Sequence, residues 1–265
     1  MHRLTRIRHL LIDMDGVLYH ENDPMPGLVE FFDFLRQRGL RFVLATNNSS
    51  RTPQQYVEKM ARMGVHVAAD DLITSSQATA AYLRQIAPPG TPIYAVGQDG
   101  LTAALQEAGF VLDDRRAEFV VAGLDTHLTY DKLKTATLLI RRGAQFIGTN
   151  TDTTLPTPEG LAPGAGSILA AIQAATDVCP TVIGKPEPTM FHQAMARLGA
   201  TPENTAALGD RLETDILAAR RTGVLALLAL SGVTDRTMLA GSELRPDLVF
   251  DDITDLREQW VKKSG

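Results

Sequence analysis

The sequence has a single cysteine, Cys179, among 265 residues. With no second thiol, no intramolecular disulfide can form, which fits a reducing compartment. Long apolar runs are also missing. None approaches the roughly 18 residues of a membrane-spanning helix, and the richest, Val224–Leu230, has the length of a strand. The basic N-terminal stretch offers only Leu10–Ile12 before Asp13 interrupts it. A signal peptide needs a longer apolar region and a small-residue cleavage site. A cytoplasmic location with no membrane partner is therefore the expectation. There is no basic excess either: the formal net charge is −5. Nucleic-acid binders usually carry one, so no nucleic-acid partner is expected. An anionic ligand would need a locally positive site. What is present is ordinary for a globular chain, with 44% hydrophobic and 22% charged residues. That composition excludes disordered, collagen-like and coiled-coil classes. At roughly 150 residues per domain, the length allows one large domain or two modest ones.

Short apolar runs alternate with longer amphipathic ones. His9–Asp13 reads as a buried strand and Gly27–Gly39 as a helix with Leu28, Phe31, Phe32 and Leu35 on one face. Arg41–Asn47 reads as a strand. Thr52, Pro53 and Gln55 then form a capping-box start for a helix that stops at Gly64. A short strand is expected around Leu72–Thr74. The C-terminal third repeats the rhythm. Strands at Pro180–Gly184, Thr205–Asp210, Val224–Leu230 and Asp247–Phe250 are separated by helical segments at 188–199, 213–223 and 235–240, and a last helix carries Trp260 toward the sheet. Such alternation predicts an α/β fold with a doubly wound parallel sheet. The middle, roughly 77–178, has strands at Ile93–Val96, Glu118–Ala122 and Gln145–Thr149. Helices are expected there at Gly100–Ala108, Tyr130–Arg142 and Gly166–Ala175. This stretch could form a unit of its own. Thr151–Gly166 is a Pro/Gly-rich connection too long for a tight turn, and long loops are often functional.

Four segments carry the candidate chemistry. In DMDGVLY, Asp13 and Asp15 sit at the end of a buried strand, two residues apart and so on one side of it. Two carboxylates at about 4 Å repel by roughly 4 kcal/mol at an effective dielectric of 20, which a cation would offset. Gly16 permits a tight turn and a close approach. Solvated acids at a strand exit are the plain alternative. In GDRLETD, Gly209 and Asp210 end another apolar strand, and Asp215 follows near the next helix start, where it could equally be a cap. In a doubly wound sheet, ligands sit outside the carboxyl ends of the strands, and carboxylate oxygens there suit Mg²⁺. In ATNNSS, Thr46, Asn47 and Asn48 offer hydroxyl, amide and backbone donors for phosphate oxygens, though such residues fill many loops. In IGKPEP, Lys185 follows an apolar strand. It is one of only six lysines beside twenty arginines, so it is not part of a lysine-rich face.

In this order the four segments resemble the motifs of the haloacid dehalogenase superfamily: DMDGV the nucleophile motif, ATNNS the phosphate-binding motif, GKPEP the lysine motif and GDRLETD the acidic motif. Residues 123–172 resemble the type IIA cap of its NagD-like branch. The resemblance spans nearly the whole chain. It implies a Rossmann-like core of residues 1–77 and 179–265, with an inserted α/β cap (type C2a) at 78–178. It also implies Mg²⁺-dependent phosphomonoester hydrolysis of small phosphorylated metabolites through an aspartyl-phosphate. Asp13 would be the nucleophile and Asp15 the acid and base. Mg²⁺ would be held by Asp13, Asp210 and the Asp15 backbone carbonyl. Asp215 would support it through a water or by orienting Lys185. Thr46, Asn47 and Lys185 would hold the phosphoryl oxygens, with Gly16, Asn48 and Gly209 in support. A homodimer through the cap is a further implication. Phosphotransfer to an alcohol and a non-enzymatic binding role stay open. A dehalogenase does not fit, because family dehalogenases lack the partner that Asp15 supplies. Thr151–Gly160, with the uncharged Thr153, Thr154 and Leu155 at its tip, is the expected substrate-facing element. The histidines at 9, 20, 66, 127 and 192 show no metal-ligand spacing, and Cys179 is expected as a small buried hydrophobe.

Overall fold

The structure, a computed structural model, describes residues 3–157 and 159–262. Pro158 of the expected substrate-facing loop lies outside them. The chain divides into two compact units, one built from residues up to Thr46, Tyr56–Ile73 and those from Met190, the other from Asn47–Gln55 and Thr74–Thr189. The second unit is larger than the expected insert of 78–178, since it also takes in 47–55, 74–77 and 179–189. No helix of the described residues is long and apolar enough to cross a membrane.

The first unit is built on a six-stranded sheet in the order Leu248–Phe250, Leu225–Ala229, Thr205–Gly209, His9–Ile12, Arg41–Thr46, Leu72–Thr74. His9 pairs in parallel with Thr205 on one side and Arg41 on the other. Leu10, Leu11 and Ile12 are at most 1% exposed, so both faces of the central strand are covered. That is why the strand reads as a continuous apolar run and not an alternating one. Chain order reverses at His9–Ile12. Strands that follow it early lie on one side and those from the C-terminal third on the other, which makes its carboxyl end the switch point where ligands bind. Phe31, Phe32 and Leu35 of the helix Leu28–Gln37 enter the core as expected. Trp260, in the last helix Ile253–Lys262, is buried in the same core, and its ring neighbour is Phe34 of helix Leu28–Gln37, edge-to-face at 5.9 Å.

The second unit is built on a five-stranded parallel sheet in the order Thr181–Val182, Gln145–Gly148, Phe119–Ala122, Pro92–Val96, Val111–Leu112. Val120, Ala122, Ala136, Ile140, Phe146 and Ile172 form its core. The Thr52–Gln55 capping box is present, with Thr52 N–H donating to Gln55 Oε1 at 2.9 Å and Gln55 N–H to Thr52 Oγ1 at 3.3 Å.

The structure departs from the sequence reading in several places. Ser75–Ile86 is a helix that was not anticipated, although Thr74 and Gln77 cap it reciprocally. The connection 151–166 is not an open loop: Thr154–Thr157 pairs antiparallel with Gly160–Pro163. The segment expected as one helix over 213–223 begins as a π-helical turn, Leu212–Ile216, before the helix Leu217–Thr222. The two-residue strands Val111–Leu112, Tyr19–His20 and Asp23–Pro24 are too short to carry a periodicity. Cys179 is exposed, not buried, and its Sγ accepts from Gln173 Nε2 at 3.3 Å.

Candidate active site

Parallel pairing sets the acid cluster of the first unit. Asp13 follows the central strand directly, and its N–H donates to Leu208 O at 2.8 Å, continuing the ladder with Thr205–Gly209. Asp210 follows that neighbouring strand. The two acids therefore leave adjacent strand ends together. The π-helical turn then brings the chain back, so that Asp215 Oδ2 accepts from Arg211 N–H at 3.1 Å and from the Thr214 hydroxyl at 3.3 Å. One carboxylate oxygen each from Asp13, Asp210 and Asp215 lies within 4.8 Å of the others. Asp13 is half-buried, whereas Asp210 and Asp215 are only 2% exposed. Three like charges so close in a poorly solvated place repel strongly. Val233 N–H, donating to Asp210 Oδ2 at 2.7 Å, offsets part of that repulsion. The cluster is a set of hard oxygen donors of the kind that holds Mg²⁺.

Two expected glycines explain themselves here. Gly16 has φ +80°, and a β-carbon there would meet Asp210 Oδ2 at 2.5 Å. A β-carbon on Gly209 would meet the Asp215 side chain at 2.2 Å. The turn after Asp13 is held by Gly16 N–H donating to Tyr19 O at 2.9 Å and by Ser231 Oγ donating to Gly16 O at 2.7 Å. Asp15 is exposed and pairs through its backbone with Tyr19. Its carboxylate is not a member of the three-acid cluster. Thr46, 3% exposed, ends the strand on the other side of His9–Ile12. Sequence reasoning missed Lys59, a buried lysine whose ammonium lies 3.5 Å from the Tyr19 ring centroid. Such a cation–π contact braces the turn. No local pattern distinguishes it from any helical lysine.

Asn47, Asn48 and Lys185 lie in the second unit. Asn47 Nδ2 donates to Lys185 O at 2.8 Å and to the Asp152 carboxylate at 3.2 and 3.3 Å. Asn47 O accepts from Ser75 Oγ at 2.6 Å and Asn150 Nδ2 at 2.7 Å. Asn47 Oδ1 is buried with no hydrogen-bond partner among the described residues. Lys185 is 2% exposed. Asn48 Oδ1 accepts from Ser50 N–H and Oγ, which closes the loop on itself. Ser75, Asn150 and Asp152 thus fix Asn47, and nothing in their local sequence announces that role.

Residues 10–111 match the model of the haloacid dehalogenase-like hydrolases, and residues 182–256 match a second model of HAD-hydrolase-like proteins. An acid sugar phosphatase of Staphylococcus aureus is 37% identical over 253 residues, 95% of this chain and 97% of that protein. The chain belongs to the haloacid dehalogenase-like hydrolases. Within them it is a phosphatase of the NagD-like, type IIA branch. The structure of a 4-nitrophenylphosphatase from Thermotoga maritima superposes with a TM-score of 0.94 at 37% identity, covering 97% of this chain and 99% of that one. NagD from E. coli K-12 gives 0.87 at 34% identity, covering 94% and 98%. The α/β architecture of this hydrolase is that of capped phosphatases.

Proposed function

We propose that this phosphatase hydrolyses small phosphomonoesters with Mg²⁺, through an aspartyl-phosphate on Asp13. The observation that carries the reading is the cluster of Asp13, Asp210 and Asp215 at the switch point of the first sheet. Asp13 attacks phosphorus in line while Asp15 gives its proton to the leaving oxygen. Asp15 then takes a proton from the water that cleaves the acyl phosphate, and phosphate leaves with Asp13 restored. The exposure of Asp15 suits a group that exchanges protons with water and substrate. Asp13 and Asp210, with the Asp15 carbonyl, would hold Mg²⁺. The carboxylate of Asp215, within 4.8 Å of the other two, supports a role beside the metal over one of orienting Lys185. Bound there, the ion supplies positive charge against the phosphoryl oxygens. Thr46, Asn47 and Lys185 hold those oxygens, and in such reactions positioning and charge stabilisation dominate. The acid sugar and 4-nitrophenyl phosphatases among the relatives favour small sugar or aryl phosphates. Residues 78–178 act as the selecting cap on a core of 1–77 and 179–265, in a cytoplasmic enzyme.

The test is phosphate release from a panel of phosphomonoesters with Mg²⁺ and with excess chelator, using Asp13→Asn as control. Metal-dependent release that the variant loses is the expected result. Full activity in Asp13→Asn would overturn the assignment. Phosphate release falling below substrate consumed when alcohols are added would move the reading to phosphotransfer.

A further inference from the structure

Loop 231–234 of the first unit holds none of the three clustered acids, yet it reaches two of the loops that carry them. It follows the strand Leu225–Ala229, which Thr205–Gly209 separates from the central strand His9–Ile12. Leu230 N–H still donates to Phe250 O at 2.9 Å and so continues the ladder. The next four residues leave it and bond to the loops that follow Thr205–Gly209 and His9–Ile12. Val233 N–H donates to Asp210 Oδ2 at 2.7 Å, and Thr234 N–H to Asp210 O at 3.1 Å. Gly232 has no room for a side chain, because a β-carbon there would run into Asp210 Oδ2. A β-carbon on Gly16 would meet the same oxygen, and would lie 3.1 Å from Gly232 Cα. The loop therefore grips Asp210 with backbone groups, which a side-chain substitution does not remove. Its contact to the Gly16 turn is of another kind. There Ser231 Oγ donates to Gly16 O at 2.7 Å, so a single side-chain hydroxyl makes that bond.

We propose that Ser231 is a positioning residue of the phosphatase: its hydroxyl holds the turn that carries Asp13 and Asp15 in place against Asp210. The inference rests on the phosphatase reading above. Position 16 must be glycine to leave room for the Asp210 carboxylate, and glycine is the residue that restrains a backbone least. A turn built on it needs a brace from outside. Gly16 N–H donates to Tyr19 O at 2.9 Å, and Ser231 takes the Gly16 carbonyl, so both polar groups of the residue are fixed. Gly16 is buried, so its carbonyl without Ser231 loses a partner that water does not readily replace. The peptide then swings toward another donor, and Asp15, its immediate neighbour, moves with it. Asp15 pairs through its backbone with Tyr19, so that contact shifts too. A reacting group displaced by about 1 Å costs on the order of a hundredfold in rate, and a loosened turn costs part of that.

The experiment measures kcat and KM in wild type, Ser231→Ala and Ser231→Thr, using whichever ester of the panel wild type cleaves fastest. Ser231→Ala is expected to lower kcat about tenfold and to leave KM within about twofold, because the hydroxyl orients reacting groups and does not bind the ester. Ser231→Thr keeps the hydroxyl and should recover most of the lost kcat. An unchanged kcat in Ser231→Ala, a loss carried by KM, or the same loss in Ser231→Thr would each overturn the role. Ser231 is half-buried, so the variants should fold, and a melting curve checks that they do. If wild type releases no phosphate from any ester, the phosphatase reading fails separately. Amide hydrogen exchange over residues 13–19 then tests the brace alone. Faster exchange in Ser231→Ala, reversed in Ser231→Thr, supports it, and equal exchange in all three proteins rejects it.

Discussion

Gly16 leaves the space that the Asp210 carboxylate occupies: a β-carbon at position 16 would lie 2.5 Å from Asp210 Oδ2. The φ of +80° at Gly16 adds a second constraint on the same residue. Gly16→Ala should therefore cost about 1–3 kcal/mol of stability from the backbone alone. It should also displace Asp210 and lower kcat by at least tenfold. Thermal melting and steady-state kinetics check both. Unchanged kcat would mean that the carboxylate accommodates the methyl group.

Asp13, Asp210 and Asp215 repel one another when no cation is bound. Asp13→Asn should raise the melting temperature of metal-free protein, because one charge of three is removed. The same variant should lose most of the stabilisation that Mg²⁺ gives wild type, which approaches about 2.7 kcal/mol when the ion is at a hundred times its dissociation constant. Melting curves with chelator and with Mg²⁺ separate the two effects. A variant stabilised by Mg²⁺ as much as wild type would remove Asp13 from the metal site.

His9 starts the central strand, where burial and the neighbouring Arg41 push its imidazole below the ordinary 6.5. Its Nδ1 is buried with no hydrogen-bond partner among the described residues. As pH falls below about 6.5 the unfolded chain takes up a proton that native His9 refuses. The unfolded state binds more protons in that window, so stability rises with pH there and is lost on acidification. His9→Asn should melt with a shallower pH dependence than wild type between pH 7 and 5.5. Parallel curves would show that other groups set the slope.

Lys132 answers a buried charge. The Asp125 side chain is 1% exposed and that of Lys132 35%. Removing one partner of a fully buried pair costs about 3–5 kcal/mol. Solvent screening at Lys132 lowers the expectation for Lys132→Met to about 2 kcal/mol. Asp125→Asn combined with Lys132→Met should recover part of it in denaturant unfolding. No recovery would place the loss in the lysine stem and not in the unpaired carboxylate.

Leu155, in the strand Thr154–Thr157, sits half-buried on the wall of a cavity of about 560 Å³ in the second unit. Leu155→Asp should change the rank order of kcat/KM across a substrate panel by at least fivefold between its extremes. A uniform change for every ester would mean that the hairpin does not select.

Much of this was readable beforehand. The apolar runs ending in Asp13, Thr46 and Asp210 are strands whose carboxyl ends share one sheet edge, because a strand covered on both faces must be apolar throughout. The Thr52–Gln55 cap was equally plain, since it depends on residues three apart. The hairpin at 154–163 was not. Its pairing of Thr154 with Pro163 spans nine residues without an alternating pattern, and its prolines read as punctuation. The helix Ser75–Ile86 is not legible despite a local cap, because its buried face is mostly small or polar, Ser75, Ser76, Ala78, Thr79 and Ala80, and makes no apolar stripe.

Local periodicity and backbone freedom make most of the element order legible, along with the strand ends that carry acids and the glycines that make room beside them. Tertiary structure alone decided that Asp215 turns back to join Asp13 and Asp210, that Asn47 is braced by Asp152 and Ser75, and that Lys59 lies over Tyr19. Those contacts join residues 28 to 202 positions apart, or, for Asp215, depend on a π-helical turn. No local rule specifies where the two ends of such a contact meet. Only the packing of the sheet and its covering helices fixes the distance between them.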